Sequence, residues 1–151
     1  MKALTIQLGI FGRTNVGKSS LMNFITDQNI SIVSDIAGTT TDVVYKQMEL
    51  NPLGPITLFD TAGINDTSVL GSARIEKTQR AFDSSDVALL MCEQGKFDKF
   101  EKDIVEEADK RKTPCIIVIG KTDLHPVSER FFEKLKKIFK AYSVIFKRYS
   151  K

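Results

Sequence analysis

The segment Gly12-Arg13-Thr14-Asn15-Val16-Gly17-Lys18-Ser19 follows a short apolar run and leads into residues of helical spacing. Two glycines, a lysine and a hydroxyl at these separations suit the wrapping of backbone N–H groups around a chain of phosphates. The glycines let the main chain approach without a Cβ in the way. The helix that opens here adds the partial positive charge of its N-terminus. Arg13, Thr14, Asn15, Val16, Gly17, Lys18, Ser19 and Ser20 form the cradle. Lys18 is placed to bridge a β- and a γ-phosphate, and Ser19 to offer its hydroxyl to Mg²⁺.

Three other short segments gain meaning from that loop. Asp60-Thr61-Ala62-Gly63 ends an apolar run. A carboxylate there, facing a phosphate loop, suits Mg²⁺ through a bound water, and Gly63 can give its N–H to a γ-phosphate. Gly38-Thr39-Thr40-Thr41-Asp42 lies between the first helix and the next strand. A threonine there, Thr40 by preference and Thr39 next, completes a Mg²⁺ shell only when a γ-phosphate is present, which makes the loop an order–disorder switch. Lys121-Thr122-Asp123 follows a third apolar run. The Asp123 carboxylate can accept from the N1–H and N2–H of guanine, a donor pair adenine lacks, while the Lys121 stem lies over the base.

The elements that must carry these segments alternate between the two periodicities of secondary structure. Apolar runs at 4–11, 43–50, 56–59, 86–92, 114–119 and 144–149 read as strands. Stretches at 17–27, 72–82, 97–108 and 129–142 read as helices, and 30–42 reads as a loop. Asn51-Pro52-Leu53-Gly54-Pro55 is dense turn chemistry and predicts a hairpin. The expected fold is α/β: a mostly parallel six-stranded sheet with helices on both faces and one antiparallel edge strand. Ligands of such sheets bind beyond the carboxyl ends of the strands, where Gly12, Asp60, Gly95 and Gly120 fall. The chain ends directly after its last expected strand, so the closing helix is expected to be missing and residues 1–151 to be one domain of a longer protein.

Composition bounds the reading. The chain has 151 residues, 42% hydrophobic and 27% charged, with a net charge of +3. That is the balance of a globular domain and excludes a disordered or collagenous chain. No apolar run nears the roughly 18 residues of a membrane span. Cys92 and Cys115 are too few for a disulfide framework and sit in apolar strands, so core thiols and a cytoplasmic setting are expected. One histidine, His125, beside two isolated cysteines excludes a self-contained zinc or iron–sulfur site of usual ligand count. From Glu129 to Lys151 there are eight Lys/Arg against two Glu. Phe131, Phe132, Leu135, Ile138 and Phe139 interleave at helical spacing, which favours the solvated face of a terminal helix over a nucleic-acid surface.

Taken in order, the four segments resemble the small GTPases of the TrmE–Era–EngA-like group, over nearly the whole chain. The stretch Ser31–Asp42 with Gly38-Thr39-Thr40-Thr41-Asp42, and Met48-Glu49-Leu50 with Pro52, Gly54 and Pro55, resembles more narrowly the GTPase domain of HydF, the maturation GTPase of iron-only hydrogenase. That resemblance implies GTP and GDP as ligands and Mg²⁺ as cofactor. It implies catalytic roles for Lys18, Thr40 and Gly63, Mg²⁺ at Ser19, Thr40 and Asp60, and K⁺ at Asn15. It implies work in hydrogenase metallocofactor assembly with other maturation proteins and the hydrogenase, a homodimer, and iron–sulfur chemistry only in domains outside this chain. No membrane or nucleic-acid partner is expected. The alternatives are a ribosome- or tRNA-modification-associated GTPase of the same group, and a nucleotide-binding module with negligible hydrolysis. Three departures from the group bear on these: Gly120 stands where an Asn is usual, predicting weaker binding with guanine preference kept through Asp123; Ile64 cannot orient water, predicting slow intrinsic hydrolysis; and the Ser-Ala guanine loop of the group is at most begun by Ser150-Lys151.

Overall fold

Strand β1 (Ile6–Gly12) lies inside the sheet because both of its faces are apolar: Ile10 and Phe11 are each fully buried and point to opposite sides. The computed structural model describes residues 5–26, 32–36, 44–61 and 71–142. After β1 come α1 (Lys18–Thr26), β2 (Ile32–Ile36), β3 (Val44–Leu50), β4 (Gly54–Asp60), α2 (Gly71–Asp83), β5 (Val87–Glu93), α3 (Lys99–Lys110), β6 (Cys115–Gly120) and α4 (Glu129–Tyr142). The six strands form one sheet in the order β2-β3-β4-β1-β5-β6. β4, β1, β5 and β6 pair in parallel, as strands joined by helical crossovers must, while β3 runs antiparallel to both β2 and β4.

The hairpin expected at residues 51–55 joins β3 to β4, with Leu50 opposite Gly54. Two expectations need correction. Residues 30–42 read as a loop, but Ile32–Ile36 is a strand paired to β3 with an irregularity between Ile32 and Ser34. Ser34 and Asp35 interrupt the apolar run that would have marked it. An edge strand tolerates this because it has only one neighbour to satisfy. The antiparallel β3 is therefore second from the edge, and β2 is the edge. The strand expected at 144–149 lies outside the described residues.

Alternation along the strands splits the core into two layers. On one face Ile10, Met48, Ile56, Leu58 and Leu89 pack with Met22 of α1. On the other Phe11, Leu90, Cys92 and Ile117 pack with Phe82 of α2, with Ile104, Val105 and Ala108 of α3, and with Phe131 and Leu135 of α4. Phe11 and Phe82 stack at 4.6 Å between ring centroids. Burial of such side chains contributes roughly 1.5–3 kcal/mol each before entropy is counted. The layers clamp β1, so the residues at its carboxyl end are held by buried strands on both sides. Among the described residues, no helix is long and apolar enough to cross a membrane.

Candidate functional site

Where β1 ends, the chain must reverse into α1 within a few residues. Asn15 takes a left-handed conformation (φ 62°) and Gly17 one that side chains rarely adopt (φ 112°). A Cβ at Gly12 would stand 2.8 Å from Val16 Cγ1 and 2.9 Å from the Met91 carbonyl, so glycine is needed there for close approach. The Leu21 N–H then donates to the Gly17 carbonyl at 2.9 Å and the helix begins.

This turn buries the lysine. Lys18 is 7% exposed, and its ammonium donates to the carbonyls of Gly12 (2.7 Å) and Arg13 (2.9 Å). Burial pulls its pKa below the ordinary lysine value, and the nearby Asp60 carboxylate opposes part of that shift. Lys18, Thr14, Asn15, Gly17, Ser19, Ser20, Asp60 and Lys121 line one cavity of about 450 Å³. Asp60, 6% exposed, reaches it from the end of β4 because the register sets Asp60 beside Ile10. Thr61 fixes that strand end: its hydroxyl donates to the Ile10 carbonyl at 2.6 Å and its N–H to the same oxygen at 3.1 Å. A hydroxyl and a carboxylate lining a cavity with a buried ammonium form a donor set that fits hydrated Mg²⁺ beside a phosphate.

Two cradle residues do other work with their side chains. Val16 is buried and packs against the turn. The Arg13 guanidinium points away from the cavity to the buried Glu101 of α3, through Nε–Oε1 at 2.6 Å and Nη2–Oε2 at 2.9 Å. Glu101 also accepts from the Asp98 N–H at 2.9 Å and so closes the start of α3. Of Arg13, only the backbone remains for a phosphate.

On the far side of the cavity, Lys121 adopts a left-handed φ of 56° at the end of β6. Its ammonium donates to Glu93 Oε1 at 2.7 Å, and this bond is the main reason the Glu93 carboxyl stays below its ordinary pKa. The Lys121 carbonyl accepts from the N–H groups of Leu124 (3.1 Å) and His125 (2.9 Å), which curls the chain into a turn. Asp123 lies exposed on that turn, one residue beyond Thr122. Thr39, Thr40 and Gly63 lie outside the described residues, as does Ile64. Cys92 and Cys115 are buried free thiols, and burial pushes both up to about 12, as core cysteines should be. His125 is exposed. Among the described residues no cluster of His, Cys, Asp or Glu could hold a metal by itself.

Sequence reasoning missed Thr61, Glu93 and Glu101. Glu101 had a legible signal, since Asp98-Lys99-Phe100-Glu101 has capping-box spacing before an apolar-periodic stretch. Glu93 had none, because its partner depends on the register that sets Glu93 beside Gly120.

A strand, a phosphate-wrapping turn and a helix, with a strand-end aspartate across the cavity, define a P-loop nucleotide-binding domain. The chain belongs to the family described as 50S ribosome-binding GTPase, which matches residues 7–121. Among curated relatives, the tRNA modification GTPase MnmE of Synechococcus sp. is 39% identical over 82% of this chain and 27% of its own length. That of Acetivibrio thermocellus is 35% identical over 90% of this chain and 29% of its own. The chain thus spans less than a third of the curated relatives it matches. Among solved structures, an Aquifex aeolicus Era variant bound to GDP·AlF4⁻ superposes with a TM-score of 0.65 at 27% identity, over 93% of this chain and 48% of that one. Era in complex with MgGDPNP and a segment of 16S ribosomal RNA gives 0.66 at 27% identity, over 92% of this chain and 48% of that one.

Proposed function

We propose that this domain works as a slow, guanine-specific switch in which the Lys18 ammonium exchanges its two carbonyl partners for phosphate oxygens when GTP enters. The single observation that carries this is the buried Lys18 on the wall of the cavity shared with Ser19 and Asp60. Ser19 and Asp60 would hold Mg²⁺, which supplies positive charge as the phosphate bond breaks. Backbone N–H groups from Arg13 to Ser20 orient the phosphates, and Asp123 reads the base. Thr40 and Gly63 would sense the γ-phosphate, with Thr39 beside them. Phosphate release from GTP, lost in Lys18→Ala, is the test; a Lys18→Ala protein that turns over normally contradicts the assignment.

The cavity also suits K⁺. Asn15 stands exposed on its wall with its backbone turned by the left-handed φ. A monovalent cation held there would add the charge an arginine gives elsewhere. Turnover faster in KCl than in NaCl at equal ionic strength is expected, and equal rates would reject this ligand role.

For the setting of the switch, the relatives above support RNA-linked work of the tRNA-modification or ribosome-associated kind. The hydrogenase-maturation reading has a different support, the stretch Gly38–Asp42 together with Met48–Pro55. The two make opposite forecasts. An RNA-linked domain should bring structured RNA down with it at moderate salt in a GTP-dependent way. A metallocofactor-assembly domain should ignore RNA and, in its full-length protein, change its association with a hydrogenase-maturation partner on GTP binding.

A further inference from the structure

Gly120 poses a question that the backbone does not answer. Its φ lies outside the left-handed range, so any residue could adopt that conformation, unlike Gly17 at φ 112°. What a side chain there would meet first is Met91, whose methyl would have to move to admit it. A Cβ at Gly120 would stand 2.6 Å from the Met91 Cε methyl and 3.2 Å from the Val16 carbonyl. The same methyl would lie 3.2 Å from a Cβ at Gly17, and the Met91 carbonyl 2.9 Å from one at Gly12. Met91 itself is 6% exposed. The register makes this unavoidable, because β5 sets Met91 beside Gly12 of β1 and beside Val118 of β6. One thioether chain therefore fills the space between the phosphate turn and the start of the Lys121–Asp123 turn. Methionine suits an irregular gap of this kind, being unbranched and polarizable.

We propose that Met91 is the positioning residue that sets the spacing between the phosphate grip and the base-reading turn, and that residue 120 is glycine because Met91 occupies its side-chain room. The inference rests on the guanine-nucleotide reading above. It makes the tie between the two loops a steric one, through a buried methyl group, in place of a polar side chain at position 120. A group added at 120 then pushes the Lys121–Asp123 turn off the base more than it disturbs the phosphate turn, and trimming Met91 relieves the push.

The test is a double-mutant cycle on the 151-residue chain, read with GDP and with inorganic triphosphate as probes. Gly120→Ala adds only the Cβ in question. It should weaken GDP binding roughly tenfold, the scale of a one-methyl overpacking, and leave triphosphate binding nearly unchanged. Met91→Ala on its own should weaken GDP a few-fold through the looser spacing. Gly120→Ala with Met91→Ala should bind GDP better than Gly120→Ala alone. Should Gly120→Ala fold poorly, the thermal midpoint replaces affinity, and the double variant is expected to lose less than the sum of the two single losses. Additive effects in the cycle, or equal losses for GDP and triphosphate, would overturn the proposal. A wild-type chain that binds triphosphate but not GDP would instead overturn the guanine reading on which it rests.

Discussion

The two halves of the nucleotide cavity are built differently. The phosphate half is main chain and buried charge: one tight turn, a helix start, and a lysine held by two carbonyls at the end of a strand packed on both faces. The base half is an exposed turn whose described supports are one Lys121–Glu93 ion pair, the hydrogen bonds to the Lys121 carbonyl and the Met91 methyl beneath it. The first kind of site costs little reorganisation when a ligand arrives, because its donors are fixed by elements that exist for folding. The second can drift, so recognition there depends on a few side chains. Affinity should therefore reside mostly in the phosphate half and selectivity in the base half.

The comparison can be broken at four points. Lys18→Ala has the largest expected effect: losing a desolvated ammonium that meets the β- and γ-phosphates should weaken GTP by at least about 100-fold in a calorimetric titration, and GDP by less, since only the β-phosphate remains to be met. Asp123→Asn should cut GDP affinity about 30-fold while improving xanthosine diphosphate, whose C2 carbonyl the new amide can meet. A variant that loses both nucleotides equally would show that Asp123 does not read the base. Glu101→Gln attacks the phosphate half from below. Weakening the Arg13 pair should cost about 1–2 kcal/mol in denaturant unfolding, with GDP affinity changed roughly threefold or less. A large affinity loss there would mean that the turn is not held by its own backbone. Glu93→Gln is the mildest, with about a threefold loss of GDP affinity and none for inorganic triphosphate.

Much of this was legible in the residues. The strand–turn–helix joint at Gly12–Ser19 carries its geometry in its own glycines, so sequence alone placed Lys18, Ser19 and Asp60 on one cavity. The helix at 129–142 was equally clear, since Phe131 and Leu135 repeat at helical spacing against a charged face and are buried as expected. What could not be read depended on register or on a single neighbour. Arg13 looked like a phosphate ligand because nothing local reveals a partner 88 residues away. Ile32–Ile36 looked like loop because an edge strand leaves a weak pattern. Gly120 looked like a lost hydrogen-bonding residue, and its steric reason appears only once β5 sets Met91 beside Gly12.

The most direct measurement is calorimetric titration of the chain with GTP, GDP and ATP in the presence of Mg²⁺. Guanine nucleotides should bind at least about tenfold more tightly than ATP, since one carboxylate meets two donors that adenine lacks. Equal affinity for guanosine and adenosine nucleotides, or no binding of either, would contradict the account.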